Sequence, residues 1–218
     1  MKSLRRKDSS DEKALQPFLD AVYADMELDY CREERKEQQL AGIDVIIRFR
    51  DKEYFIDEKA ATHYVNKGLN TFAFELNFQH NGMTIPGWLF DENKLTTHYF
   101  LVSEIESSSA HVEDLTAFRL VSVNRQKLLQ FLQKKQWGKV FLTEKVNKVM
   151  EDRARYVLSP SNPEARVVKT RHLQEKPLNL VIVLDDLIQA GVAKELIPGP
   201  QQLNEVELNQ LFKKAGLR

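Results

Sequence analysis

Gly42-Ile43-Asp44-Val45-Ile46-Ile47, followed shortly by Tyr54-Phe55-Ile56-Asp57-Glu58-Lys59-Ala60, is the passage on which the fold turns. Ile43, Val45 and Ile47 alternate with Asp44, Ile46 and Arg48, which is the period of a strand and not of a helix. Arg50-Asp51-Lys52 supplies a turn, and Glu53 to Ala60 is a second β-rich run, so a hairpin is predicted over 41–60. Alternate residues of a strand share a face: Asp57 and Lys59 point to one side, Glu58 to the other, and the hairpin brings Asp44 beside the first two. Both acids interrupt apolar runs, where a charge is unfavourable unless it is paired or bound to metal. Two carboxylates and an ammonium converging on paired strands form a hard-oxygen site suited to Mg2+ or Mn2+, with the lysine close to an attacking water. Gly42, having no side chain, lets another backbone or a phosphate come near. The competing interpretation is a buried Asp–Lys ion pair with no ligand.

Outward from the hairpin, Leu15, Phe18, Leu19, Val22 and Tyr23 recur at helical spacing, which predicts an amphipathic first helix over 8–28, capped at Ser9 or Ser10 and bent at Pro17. The charged tract 27–39 reads as an exposed connection. Beyond the hairpin come a short helical or irregular piece at 61–68, a strand at 71–78, a tight turn at Asn81-Gly82, and strand material at Trp88-Leu89-Phe90 and 98–105. The aromatic run at 72–78 reads as core. A strand at 116–123 leads into a helix capped by Asn124 with Leu128, Leu129 and Leu132 as its stripe. The polar tract 151–177, with Pro160, Pro163 and Pro177, is expected to wrap the surface. Leu178 to Leu184 has strand length and composition, Asp185 or Asp186 is placed to cap a helix after it, and a last helix is expected at 203–214.

Composition narrows the functional classes. The 218 residues, 42% of them hydrophobic, suffice for one full core. No stretch approaches the roughly 18 apolar residues of a membrane span, and no apolar segment follows the charges at the start, so a cytoplasmic protein without membrane association is predicted. One cysteine, Cys31, excludes an internal disulfide framework, and no two of the five histidines sit at helical ligand spacing. The formal net charge of 0 is unevenly divided: residues 1–110 carry 14 Lys+Arg against 20 Asp+Glu, and residues 111–218 carry 18 against 12. That suits a protein whose acidic part holds metal and whose basic part follows phosphates.

Gly-Ile-Asp at 42–44, a hairpin, and Ile-Asp-Glu-Lys-Ala at 56–60 resemble the PD-(D/E)XK nuclease superfamily. The resemblance is specific over 41–60 and extends as a fold over roughly 12–140; Ile43 stands where the eponymous proline would be. It implies an α/β fold with a restriction-endonuclease-like core, a central mixed β-sheet flanked by helices, over residues 1–140. A small C-terminal α/β extension over 141–218 would pack on it. It also implies Mg2+- or Mn2+-dependent hydrolysis of phosphodiester bonds, with Asp44 and Asp57 binding metal and Lys59 catalytic. Relatives add a carboxylate from the first helix, for which Asp20 is the first choice and Glu12 or Asp25 the alternatives. Gln39 and Glu75 are candidate equivalents of a Gln or Glu near the core, Glu75 as a metal ligand.

The expected partner is nucleic acid, DNA above all. Ten Lys+Arg between Arg119 and Arg155, against Glu144, Glu151 and Asp152, mark a phosphate-following surface on which Arg125, Lys134, Lys135 and Lys139 are the named contacts. The oligomeric state is left open, a homodimer included. Two other readings compete: a nuclease-fold protein that binds or assembles without turnover, and an unrelated α+β interaction protein in which the hairpin charges are structural.

Overall fold

The computed structural model describes residues 4–109 and 111–200, residues 4–9 by backbone alone. In chain order the elements are α1 (Leu4–Asp25), β1 (Asp29–Arg32), α2 (Lys36–Leu40), β2 (Val45–Phe49), β3 (Lys52–Ala60), β4 (Thr71–His80), β5 (Met83–Pro86), β6 (His98–Ser107), β7 (Leu115–Asn124) and α3 (Arg125–Lys134). A π-helical turn (Phe141–Lys145) then runs into α4 (Val146–Val149), followed by β8 (Arg155–Ser159), β9 (Asn162–Lys169), β10 (Leu178–Val183), α5 (Leu184–Gln189) and β11 (Ala193–Ile197). The helix expected at 203–214 lies outside the described residues. No helix among them is long and apolar enough to cross a membrane.

The chain is α/β and forms two compact units that do not divide at residue 140. The first takes 4–70, 96–123 and 194–200 of the described residues; the second takes 71–95 and 124–193. Each has one sheet. In the first, six strands run in the order β1-β2-β3-β6-β7-β11, with β1, β2 and β3 antiparallel and β6 parallel to β3, so this sheet is mixed. In the second, five strands run β5-β4-β10-β9-β8, each pair antiparallel.

The first core is built where sequence periodicity places it. Leu15, Leu19, Val22 and Tyr23 of α1 pack on Val45, Ile47, Ile56, Phe100 and Val102 of the sheet, a helix stripe closed against one strand face. Pro17 lies inside α1 on its exposed side, and the carbonyl it leaves without an intrahelical donor is that of Lys13, also exposed. The helix extends past Ser9 and Ser10, which are internal to it and not its cap. The hairpin register, Val45 opposite Ile56 through Phe49 opposite Lys52, leaves Arg50 and Asp51 as a two-residue loop with φ of 50° and 59°. Two positive φ values are what a type I′ turn requires. Gly42, with φ of 79°, follows α2 in the left-handed region, a conformation that favours glycine.

Four further expectations for the elements change. The tract 27–39 contains β1, an outer strand whose Tyr30 packs on the core, and α2. Trp88 to Phe90 form a turn and not a strand. The tract 151–177 contains the β8–β9 hairpin on the outer side of the second sheet. The cap of α5 is Val183, with Asp185 and Asp186 in the first turn. Asn124 does cap α3, its Oδ1 accepting from Lys127 N at 2.9 Å. At the other end of α3, Gln136 stands at φ 61°, with its N–H on Gln133 O at 3.0 Å and that of Trp137 on Leu132 O at 2.8 Å. This is a Schellman turn with glutamine where glycine is favoured. Gln136→Gly is therefore expected to stabilise the protein by about 0.5–1 kcal/mol, read as a higher urea midpoint at unchanged slope.

Candidate active site

Asp44 precedes β2 and is locked into the sheet by its own backbone: its N–H donates to Ile56 O at 2.8 Å and its carbonyl accepts from Glu33 N at 2.8 Å. Its carboxylate continues the ladder where β2 has ended, Oδ2 accepting from Glu58 N at 2.8 Å. On β3, Lys59 Nζ donates to Asp57 Oδ1, as expected of residues two apart on one strand face. Asp57 is buried, at 3% exposure, and Tyr99 and Leu101 of β6 stand in register with Asp57 and Lys59. The three residues singled out from the sequence thus converge. Beside them opens a pocket of about 60 Å³ lined by Glu12, Leu15, Gln16 and Leu19 of α1 together with Asp44, Glu58, Lys59, Ala60 and Val102.

The electrostatics follow from this placement. Burial pushes the Asp44 carboxyl up to about 7; Lys59 opposes the rise, Asp57 adds to it, and the Glu58 N–H opposes it. Burial works against the Lys59 charge, but Asp57 and Asp44 outweigh it and hold this lysine above its ordinary value, with Glu12 contributing in the same sense. One ammonium therefore compensates a site that carries more acid than it can keep ionised.

A pH dependence follows. Between about pH 4 and 7 the native state holds a proton on Asp44 that the unfolded chain has released, so this group's contribution to stability is greatest in acid and declines as pH rises to about 7. The full decline is on the order of 4 kcal/mol. With chelator present, Asp44→Asn should raise the unfolding midpoint at pH 8 and change it little at pH 4. Parallel midpoints for the two proteins at all pH values would show that Asp44 ionises freely.

Other expected residues are placed elsewhere. Asp20, the first choice from α1, is held by Arg32, whose Nε donates to its Oδ1 at 2.7 Å; Arg32 Nη1 also donates to Glu58 Oε2 at 2.9 Å, and Tyr23 Oη to Glu58 Oε1 at 2.6 Å. This network ties α1, β1 and β3 together. Of the two alternatives, Glu12 is the α1 carboxylate that does line the pocket, and Asp25 is not part of its lining. Glu75 is on β4 in the second unit and its sheet, because the strand beside β3 is β6. Gln39 donates through Nε2 to Glu33 O at 2.8 Å, fixing the loop that precedes Asp44. Of the four basic residues, Arg125 donates to Asp91 O at 2.8 Å and Lys139 pairs with Glu92 at 2.8 Å, so both brace the loop at 91–92. Lys134 and Lys135 are exposed at the end of α3, with Lys135 Nζ 5.7 Å from the Phe131 ring centre.

Among the described residues no group of three or more His, Cys, Asp and Glu side chains is gathered so as to enclose a metal ion. The donor set nonetheless fits Mg2+, which keeps several of its waters and takes one or two carboxylates, the role open to Asp44 and Asp57. Comparison with known proteins finds no matching family model, no matching curated protein and no matching solved structure.

Proposed function

We propose that this chain is a divalent-metal-dependent nuclease of the PD-(D/E)XK type, with a restriction-endonuclease-like core in its first unit, that hydrolyses phosphodiester bonds in DNA. The observation that carries the reading is the meeting of Asp44, Asp57 and Lys59 at the β2–β3 hairpin, with Asp44 and Lys59 lining a pocket under α1 and Lys59 holding Asp57. The order of elements supports it: a helix, an antiparallel hairpin bearing the acids and the lysine, then a strand parallel to the second arm. The charge division supports it too, since the second unit carries 14 Lys+Arg against 10 Asp+Glu and the remaining residues 18 against 22.

Asp44 and Asp57 would hold Mg2+ or Mn2+, and the ion, when bound, lowers the pKa of a coordinated water and offsets charge building on the phosphate. Lys59, kept ionised by its two acidic neighbours, donates a hydrogen bond to the attacking water or to a non-bridging phosphate oxygen. Glu12, which lines the pocket, would accept from a water bound there. The buried Lys59–Asp57 pair favours one other reading, a nuclease-type scaffold that binds nucleic acid without cutting it.

Incubation of the purified chain with duplex and single-stranded DNA in Mg2+ or Mn2+ tests the proposal, with Asp57→Asn as control. Metal-dependent breakage that falls at least about a hundredfold in the variant is expected. Calorimetric Mn2+ binding without breakage would select the scaffold reading, and absence of both would refute the site.

A further inference from the structure

The second unit contains a cavity of about 610 Å³ that the cleavage chemistry does not use. It lies within the range of about 300–1,000 Å³ typical of small-molecule sites. Its lining includes Phe131, Lys135 and Trp137 at the end of α3, Ser161 and Asn162 at the β8–β9 turn, and Asp186 in the first turn of α5. The hydrogen bonds of the Schellman turn at Gln136 fix the backbone that presents Trp137.

Asn162 and Asp186 form a defined polar pair. Asn162 Oδ1 accepts from Ala165 N at 3.3 Å, which assigns its Nδ2 as the donor to Asp186 Oδ2 at 2.5 Å. Asn162 thereby orients Asp186, whose Oδ1 has no partner among the described residues. A carboxylate only accepts, so the complement of this wall is a ligand edge made of N–H donors. The aromatic residues call for a flat ligand, and Lys135, the one basic side chain of the lining, calls for an anionic group on it.

We propose that this cavity binds a guanine nucleotide. Guanine is flat and carries two adjacent donors, N1–H and the exocyclic N2 amine, on the edge that Asp186 accepts; adenine offers one donor there. Trp137 stacks on the base, Asp186 reads its edge, and Lys135 takes the phosphate. A free nucleotide and a base within a single strand present the same chemistry.

Trp137 provides the signal, since only Trp88 and Trp137 occur in the chain and Trp88→Phe leaves Trp137 as the single indole. In that background, fluorescence is titrated with GMP, with AMP, and with single-stranded oligonucleotides that contain or lack one guanine, in chelator. Saturable quenching is expected, with GMP at least about tenfold tighter than AMP, or the guanine strand tighter than its guanine-free counterpart by the same factor. Quenching by GMP identifies a free nucleotide as ligand; quenching by the guanine strand alone identifies a base in a strand. Asp186→Asn, which conserves shape, should abolish the guanine preference, and Lys135→Gln should weaken GMP about tenfold while leaving guanosine unchanged. Circular dichroism confirms that each variant is folded. Absence of saturable quenching by any of these probes, or an unchanged guanine preference in Asp186→Asn, overturns the proposal.

Discussion

On the proposed nuclease mechanism, Lys59→Met should lower DNA cleavage by at least about a hundredfold while Mn2+ still binds, because the lost group would act on the transition state and not on the metal. The structure adds a second signature. Lys59 is the partner of buried Asp57, and removing it leaves two carboxylates facing each other in a poorly solvated place. In chelator the variant should therefore unfold at a lower temperature than the parent, and Mn2+ should restore most of the difference by supplying the missing positive charge. Methionine keeps the stem's volume, so a packing defect would not be cured by the ion. Undiminished cleavage by Lys59→Met would remove lysine from the mechanism, whatever happens to the fold.

The largest loss of stability is expected from Arg119→Ala. Arg119, on β7, is 2% exposed, and it pairs with Glu104 of β6 at 3.1 Å and Glu195 of β11 at 2.7 Å. Three adjacent strands of the first sheet are thus tied by one guanidinium. Without it Glu104 keeps a charge that solvent barely reaches, and breaking a buried pair from one side costs about 3–5 kcal/mol. For a chain of this size that lowers the midpoint on the order of 10 °C. Pairing the substitution with Glu104→Gln should recover part of the loss, a coupling that a double-mutant cycle in urea measures. A single variant within about 1 kcal/mol of the parent would mean that Glu104 takes up a proton or turns to water.

Elements whose cause is local were legible in the sequence. The 41–60 hairpin follows from alternation and a two-residue loop, α3 from Asn124 and its leucines, β10 from the run Leu178–Val183, and the Asn81-Gly82 turn from residues that tolerate positive φ. Outer strands were hidden, because one with a single packed side chain, such as Tyr30 in β1, has almost no period to detect. The β8–β9 hairpin was hidden likewise among prolines and charges. Convergence of Asp44, Asp57 and Lys59 was readable because it lies within one hairpin. The choice between Glu12 and Asp20 was not: both lie on α1 about 12 Å apart along its axis, and which one meets Lys59 depends on how the helix crosses the sheet. The sheet to which Glu75 belongs was not readable for a similar reason, since nothing local in a strand names its neighbour. Trp137, Asn162 and Asp186 carry no common motif and meet only through the fold.

The alternation of the two units along the chain has a consequence for biosynthesis. The polypeptide passes from one unit to the other at 70/71, 95/96, 123/124 and 193/194, so no single cut releases either unit whole. A fragment ending at residue 140 would carry β4 without β10 and β7 without β11, each with a bare edge ready to pair with another chain. A nascent chain is in the same position until Leu178–Val183, for β4, and Ala193–Ile197, for β7, leave the ribosome. Both sheets then close late and through distant partners, a pattern that slows folding and prolongs exposure of Phe72, Phe74 and Leu76 on β4.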